Sequence, residues 1–152
     1  MLCNPTLDSI RVELRAEVLN STQKINNSVE EVVVGAMGAH NATRFFKHGV
    51  LIITPGDRED IILAACTAID AKSDERMAGI VLTGDLRPSD SVLKVIRTLP
   101  VPVLLAQQDS YEVASTVHDL TVKTRPGDVE KISLIRDLVA KTVKVKRILE
   151  SL

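Results

Sequence analysis

Two short polar segments follow apolar runs in the sequence, and both carry residue types that bind ligands. Gly56-Asp57-Arg58 comes after the apolar run at 50–54, and Thr83-Gly84-Asp85, with Arg87 close behind, comes after the run at 78–82. An arginine guanidinium binds a carboxylate or a phosphate through two parallel hydrogen bonds, and an aspartate accepts hydrogen bonds. In open α/β sheets ligands gather outside the carboxyl ends of strands. We therefore predict one ligand site or subunit contact, formed by Gly56, Asp57, Arg58, Thr83, Gly84, Asp85 and Arg87.

Structural roles compete with binding at the first segment. Asp57 is suited to cap the helix that follows, with Asp60 at the capping-box position and Glu59 near the positive helix end. Three acids in one turn would repel a bare phosphate unless Arg58 or a divalent metal offset them, so an anion site is not favoured. Arg58 could pair with Glu59, with Asp85 or with a carboxylate of another subunit. It is therefore expected either in a surface ion pair or at a ligand or subunit contact.

The second segment also has a structural interpretation. Thr83 and Gly84 could form the tight turn that a strand-to-helix connection needs, because glycine adopts backbone conformations that are closed to other residues. Arg87 has no such explanation, so it stays among the ligand candidates.

The sequence carries none of the motifs that define a catalytic centre. It lacks a Ser-His-Asp order and a Gly-x-Ser-x-Gly elbow, and the spacing of Gly35 and Gly38 differs from a dinucleotide fingerprint. Cys3 and Cys66 are far apart and have no cysteine or histidine at ligand spacing, which argues against a structural zinc site or a disulfide framework. We expect a non-catalytic protein without a metal site, and the sequence identifies no cofactor.

Composition indicates an aliphatic core and argues against two classes of partner. Hydrophobic residues make up 45% of the 152 residues and aromatic residues only 2%, a bias that suits a buried parallel sheet. A net charge of −1 lacks the positive field that nucleic acids or anionic membranes require. No apolar run approaches the roughly 20 residues that span a bilayer, and no signal peptide is visible. We expect a cytoplasmic protein that binds neither nucleic acid nor membrane.

Alternating strand-like and helix-like segments predict a three-layer α/β/α domain with a mostly parallel sheet and a long C-terminal helix. We expect a single domain over residues 1–152. It comprises an N-terminal helix, a short strand and a loop in 1–28, an α/β core in 29–124 and the final helix in 125–152. This order places both polar segments at the same edge of the sheet.

Local signals refine this plan. Thr6 is expected to cap the first helix, and Asp109 with Glu112 three residues later resembles a capping box. Residues 20–28 form the most polar stretch and are expected to be an exposed loop. The final helix carries an apolar stripe more than five turns long. A single domain seldom needs a stripe of that length, so we predict that residues 138–152 contact a second copy in a homodimer.

The combination of Asp57-Arg58 after one strand with Thr83-Gly84 after the next resembles the DRTGG domain family, which is named for these two motifs. The resemblance extends over roughly residues 7–149, and Asp85 stands where the family name has a second glycine. If that glycine served a positive φ angle, aspartate is a mild replacement, because it tolerates the left-handed conformation better than most residues. The further segments that carry the resemblance are 16–20, 33–37, 86–89 and 125–128.

This resemblance implies a non-catalytic module. Such domains lie between a dethiobiotin-synthetase-like domain and the catalytic domain of long phosphotransacetylases, occur beside nucleotide-sensing CBS domains in some pyrophosphatases, and also occur alone. The implied function is regulation or dimerisation linked to phosphotransacetylase-type metabolism, with a small metabolite or nucleotide bound at the strand ends and a catalytic protein as a possible partner. Two alternatives stay open: an accessory part or subunit of a phosphate acetyltransferase, and a dimer scaffold without a ligand.

Overall fold

The computed structural model describes residues 4–20, 25–71 and 77–120, together with residues 132, 133, 136 and 137. The chain divides into two compact units, Asn4–Leu120 and a second unit made of Met1–Cys3 and Thr121–Leu152. The four described residues of the second unit are helical. The remainder of the predicted C-terminal helix and the apolar stripe at 138–152 lie outside the described residues. The single-domain assignment and the homodimer accordingly stay predictions.

The first unit alternates helices and strands in the predicted order, and no helix among its described residues is long and apolar enough to cross a membrane. A single 3-10 turn, Thr43–Phe45, extends the second helix. The helices are α1 (Leu7–Leu14), α2 (Ala39–Ala42), α3 (Glu59–Ala71), α4 (Asp90–Ile96) and α5 (Ser110–Asp119), and the strands are β1 (Glu17–Val18), β2 (Glu31–Val34), β3 (Val50–Pro55), β4 (Gly79–Thr83) and β5 (Val103–Leu105).

The five strands form one sheet in the order β1-β5-β4-β3-β2. Strands β2 to β5 are parallel to one another, and β1 pairs antiparallel with β5 at the edge. The central strands β3 and β4 are buried almost throughout, as the continuous apolar runs predict for strands covered on both faces. The mostly parallel sheet is confirmed.

Helices cover both faces of this sheet. Three successive crossovers between adjacent parallel strands share the same hand, so α2, α3 and α4 lie on one face, while α1 and α5 lie on the other. Each face has its own cluster of buried aliphatic and aromatic side chains. On the first face, strand residues Ile52, Ile80 and Leu82 contact Phe46, Ile61, Val92 and Ile96. On the second face, strand residues Leu51, Val81 and Leu104 contact Leu7, Ile10 and Val113. The three-layer α/β/α prediction is confirmed for the first unit.

Two adjacent strands send their connections to opposite faces. The chain leaves β4 towards α4, whereas it leaves β5 towards α5 on the other side of the sheet. Neighbouring loops that diverge in this way create a crevice outside the carboxyl ends of the strands, which is the usual ligand position in open α/β sheets. The loops after β4 and β5 lie at the same edge of the sheet as the polar segments that follow β3 and β4.

The helix caps at Thr6 and Asp109 form where the local sequence predicts them, but one polar residue, Asn20, is buried where an exposed loop was expected. The side chain of Thr6 accepts a hydrogen bond from the Ser9 backbone, and Asp109 and Glu112 form a complete capping box, so both predicted caps are confirmed. The prediction of an exposed loop from residue 20 is wrong at its first residue. Asn20 is only 5% exposed, because its amide donates to the carbonyls of Leu99 and Val101 and its oxygen accepts from the Val103 backbone. Asn20 therefore joins the chain after β1 to the start of β5.

Candidate functional site

The two polar segments meet at the carboxyl edge of the sheet. Pro55 and Thr83 are register partners at the ends of β3 and β4, and the Gly56 backbone N–H donates to the Thr83 carbonyl at 3.3 Å. The loops that follow, 56–58 and 84–89, are consequently side by side. The structure brings the predicted segments together because parallel neighbouring strands of similar length end at the same level.

Gly56 is required by a close approach between these loops. A Cβ atom at this position would lie 1.6 Å from the carbonyl oxygen of Leu86 and 2.7 Å from its carbonyl carbon. Both contacts are with backbone, which cannot rotate away as a side chain can. The loop after β4 therefore rests directly on Gly56, and any larger residue would push the two halves of the site apart.

Gly84 and Asp85 both adopt positive φ angles, 77° and 55°. Their backbone N–H groups point to the loop after β5, where Gly84 donates to the Gln108 carbonyl at 2.7 Å and Asp85 to the Ala106 carbonyl at 3.0 Å. Aspartate is one of the few residues that enter the left-handed region at modest cost. The side chain of Asp85 is left exposed at the carboxyl edge of the sheet.

Thr83 lies beneath the surface of this edge and not on it. The residue is 1% exposed, and its hydroxyl shares a hydrogen bond of 2.7 Å with the hydroxyl of Ser110, the first residue of α5. This contact fixes the end of β4 to the start of α5. Thr83 therefore supports the loop that carries Gly84 and Asp85, and its side chain does not reach a ligand in this arrangement.

Arg58 reaches towards β2 and not towards the Thr83 segment. Its Nη2 donates to the Met37 carbonyl at 2.9 Å, in the loop after β2, and its Nε and Nη2 form a two-pronged pair with the Asp60 carboxylate at 2.9 and 3.0 Å. The expected partners Glu59 and Asp85 are replaced by Asp60, because the guanidinium turns back along its own helix start. Its hydrogen bond with Asp60 raises the pKa of Arg58 and lowers that of Asp60.

The prediction that Asp57 caps α3 is wrong. The Arg58 carbonyl accepts from the N–H groups of both Ile61 and Ile62, so Arg58 occupies the cap position and the helix begins at Glu59. The turn closed by the Arg58 N–H and the Pro55 carbonyl, at 3.1 Å, delays the helix by one residue. Asp57 is exposed, and no described residue donates a hydrogen bond to its carboxylate.

Glu59 and Arg87 connect the site with the start of α4 and with β1. Glu59 accepts a hydrogen bond from the Ser89 backbone N–H at 2.7 Å, immediately before α4, and this bond lowers the pKa of Glu59. Arg87 forms an ion pair with Glu17 of β1, and both side chains remain about half exposed. The two guanidinium groups of the site thus point in opposite directions, Arg58 towards β2 and Arg87 towards β1.

The four loops at this edge are therefore tied together in the order of their strands. The sequence did not indicate several of the groups that do this. They are Asp60 as the partner of Arg58, Glu59 as the partner of Ser89, the Met37 carbonyl, Glu17, the Leu86 backbone, Gln108 and Ser110. The run Arg58-Glu59-Asp60 is the one local signal for them, since neighbouring opposite charges indicate pairing. The others are distant in sequence, and no periodicity or motif indicates them.

The edge offers hydrogen-bond acceptors more readily than donors. Both guanidinium groups have carboxylate partners, and the N–H groups of Gly56, Gly84 and Asp85 are used within the backbone. Asp57 and Asp85 are exposed carboxylates that accept no hydrogen bond from described residues. In the described part of the chain, no group of three or more His, Cys, Asp or Glu side chains is arranged to hold a metal ion. This arrangement fits hydroxyl or amino groups of a ligand better than a bare phosphate.

Comparison with solved structures supports the fold. The chain is similar to the CBS and DRTGG domains of the regulatory region of Clostridium perfringens pyrophosphatase, complexed with its activator diadenosine tetraphosphate. The TM-score is 0.62 and the sequence identity 23%, and the match covers 90% of this chain and 60% of that one. At this identity the likeness shows a shared fold.

Curated relatives of this chain are phosphate acetyltransferases. The enzyme of Synechocystis is 36% identical over 135 residues, and that of Deinococcus radiodurans is 33% identical over 138 residues. The enzyme of Nitratidesulfovibrio vulgaris is 30% identical over 135 residues. These alignments cover 87 to 89% of this chain and 19% of each relative, so the chain spans about a fifth of their length.

The sequence also matches a family model. The model of the DRTGG domain matches residues 9–120, which include every described helix and strand from β1 to α5. This range contains both polar segments and all four loops at the carboxyl edge of the sheet. Because the match covers well over half of the sequence, the chain belongs to the DRTGG domain family.

Proposed function

We propose that this chain is a regulatory module, without catalytic activity of its own, that binds a small metabolite or nucleotide at the carboxyl ends of β3 and β4. The observation that carries this proposal is the close contact of Gly56 with the Leu86 backbone, which holds Asp57 and Asp85 on neighbouring loops with their carboxylates exposed. Such preorganisation of exposed polar groups is typical of a ligand site. The site acts in phosphotransacetylase-type metabolism.

A nucleotide is a chemically sensible ligand for this edge. The carboxylates of Asp57 and Asp85 can accept hydrogen bonds from ribose hydroxyls or from an amino group of a base. Arg58 or Arg87 can bind phosphate groups through N–H groups that remain free or after exchange of their ion pairs with Asp60 and Glu17, which are exposed enough to exchange at low cost. The pyrophosphatase regulatory region that shares the fold has a dinucleotide polyphosphate as activator, which supports the same ligand class.

Thermal unfolding in the presence of nucleotides, acetyl-CoA, inorganic phosphate and central metabolites tests this proposal. A ligand present at about one hundred times its dissociation constant should stabilise the protein by roughly 2.7 kcal/mol. Asp85→Asn should reduce that shift while it keeps the left-handed backbone, because asparagine also tolerates positive φ. Glu13→Gln is the matched control, since Glu13 is an exposed acid on α1. A shift that Asp85→Asn leaves unchanged contradicts this site.

The sequence identity shared with phosphate acetyltransferases favours one other function. The chain would then serve as an accessory part or subunit of such an enzyme, with a separate catalytic protein as its partner. Assaying acetyl transfer from acetyl-CoA to phosphate, with this chain alone and then with a phosphate acetyltransferase catalytic domain, separates the two. Turnover by the chain alone would contradict the non-catalytic proposal. If no compound in the thermal panel stabilises the protein, a dimer scaffold without a ligand is the better interpretation.

A further inference from the structure

A groove of about 360 Å³ lies between α3 and α4. It is separate from the strand-end loops, and both helices contribute residues to it. Leu63 and Val95 are 42% and 38% exposed, values high for aliphatic side chains on neighbouring helices. The residues that matter for its chemistry are Leu63, Cys66 and Thr67 of α3 and Val95, Thr98 and Leu99 of α4 and the turn after it.

The groove arises because the two helices differ in length. At 1.5 Å per residue, the 13 residues of α3 extend about 20 Å, whereas the seven residues of α4 extend about 10 Å. After Ile96 the chain turns back to the sheet, so within the described residues no helix lies beside the second half of α3 on that side. The space left open is comparable with that of small-molecule sites, which occupy roughly 300 to 1,000 Å³.

The described residues that line the groove carry no charge and offer almost no hydrogen-bond donors. The Thr67 hydroxyl donates to the Leu63 carbonyl at 2.6 Å, and the Thr98 hydroxyl donates to the Val95 carbonyl at 2.7 Å. Burial raises the pKa of the Cys66 thiol to about 11, so the thiol is neutral at physiological pH. A charged ligand would lose its hydration here and find no partner, whereas a hydrocarbon group loses nothing.

We propose that the α3–α4 groove binds an uncharged, mostly hydrocarbon small molecule. An apolar cavity of about 150 Å³ holds one benzene molecule, so this groove has room for an aliphatic chain of about eight carbons. The two threonine oxygens can still accept one hydrogen bond each, which suits a ligand with a single hydroxyl group. The neutral lining matches a neutral ligand, and the groove forms a second site independent of the strand-end loops.

Binding of 1-octanol, followed by titration calorimetry, tests this proposal, with octanoate as the charged counterpart of equal chain length. We expect saturable binding of one 1-octanol per chain and at least tenfold weaker binding of octanoate. In a Cys3→Ser background, 1-octanol should also slow the modification of Cys66 by a thiol reagent at least tenfold. Absence of 1-octanol binding at about 1 mM, or equal binding of both compounds, overturns the proposal.

Substitutions locate the binding. Thr67→Trp should fill the groove and weaken 1-octanol binding at least tenfold, and Thr98→Trp provides the same test from α4 if the first variant folds poorly. Ser91→Trp, on an exposed position of α4 outside the groove, should bind 1-octanol like the unaltered protein. Equal binding by all three variants overturns the proposal. The proposal is also overturned if the unaltered protein is a dimer and Thr67→Trp is a monomer, because that result would show that a second copy covers the groove.

Discussion

At the scale of single residues, the carboxyl edge of the sheet is held by contacts that connect distant parts of the chain. Gly56 lies against the Leu86 backbone, and Arg58 connects Asp60 with the Met37 carbonyl. The contact at Gly56 is steric and leaves no room for a side chain, whereas the contacts of Arg58 are partly exposed hydrogen bonds. The two residues therefore differ in how much stability they contribute.

Gly56→Ala should destabilise the protein by at least 2 kcal/mol, because its Cβ would lie 1.6 Å from the Leu86 carbonyl oxygen and force the loops apart. Urea unfolding measures this change. Gly38→Ala is the control, since nothing lies within 4 Å of a Cβ there, and it should change the free energy of unfolding by less than about 1 kcal/mol. Equal effects of the two substitutions would show that the loops do not touch as described.

Arg58→Ala should cost only about 0.5 kcal/mol of stability, since the Arg58 side chain is 32% exposed and solvent screens its pair with Asp60. The pair also sets a pH dependence. Asp60 has a lower pKa in the folded chain, so its contribution is complete above the ordinary aspartate pKa and is lost as the pH falls through the folded value. The difference between the two proteins should therefore shrink as the pH falls below the ordinary aspartate pKa.

Urea unfolding of both proteins between neutral pH and about pH 3 measures this difference. If Arg58 contributes to recognition, Arg58→Ala should also weaken ligand binding or dimerisation by at least about 1 kcal/mol. A variant that unfolds while every association stays intact would identify Arg58 as a structural residue. Arg58→Lys is the charge-preserving control, because an ammonium group cannot form the two-pronged pair.

At the scale of elements, the start of a helix is decided by the backbone turn before it. Asp57 and Asp109 both precede helices in the sequence, but only Asp109 caps one, with a side chain that accepts from the Glu112 backbone at 2.8 Å. The turn at 55–58 displaces the start of α3 to Glu59. Similar local sequences therefore serve different roles.

Asp57→Ala should change the free energy of unfolding by less than about 0.5 kcal/mol, as exposed substitutions usually do. Asp109→Ala should cost about 1 kcal/mol, because it removes a complete capping box. Chemical denaturation of the two variants side by side provides the comparison. A larger loss for Asp57→Ala than for Asp109→Ala would restore Asp57 as the cap of α3.

The antiparallel edge strand depends on Asn20. This buried amide makes three hydrogen bonds to the backbone at and just before the start of β5. Asn20→Ala should cost about 2 to 3 kcal/mol, since it leaves buried backbone groups without partners. Gln107→Ala, at an exposed position, is the control for denaturant unfolding and should be nearly neutral. A neutral Asn20→Ala would mean that these backbone groups find other partners.

At the scale of the whole molecule, the described unit is a DRTGG domain with a covered sheet and one edge at which four loops meet. That edge and the α3–α4 groove are its two candidate binding regions, and α3 contributes to both. The module's relatives are parts of much longer enzymes.

We predict a homodimer from the apolar stripe at 138–152, which lies outside the described residues. Light scattering at micromolar concentration should give twice the 16.6 kDa of one chain. Leu149→Asp places a charge in the stripe and should shift the mass towards that of the monomer. A mass of 16.6 kDa for the unaltered protein would exclude the dimer.

The sequence by itself determined the fold class, the element order, the caps at Thr6 and Asp109 and the family. These properties depend on local signals: the spacing of apolar residues distinguishes helices from buried strands, and a cap involves residues three positions apart. Parallel strands of similar length end together, so the meeting of the two polar segments followed from the same pattern.

Only the tertiary structure decided which side chains face a ligand. Thr83 is buried by Ser110, which is 27 residues away, and Asn20 is buried by backbone about 80 residues away. Arg58 turned to the Met37 carbonyl and Asp60, and Gly56 is required by Leu86. Each of these outcomes depends on which distant segment packs nearby, and hydrophobic periodicity contains no information about that. The candidate site was therefore predictable in its position but not in its exposed groups.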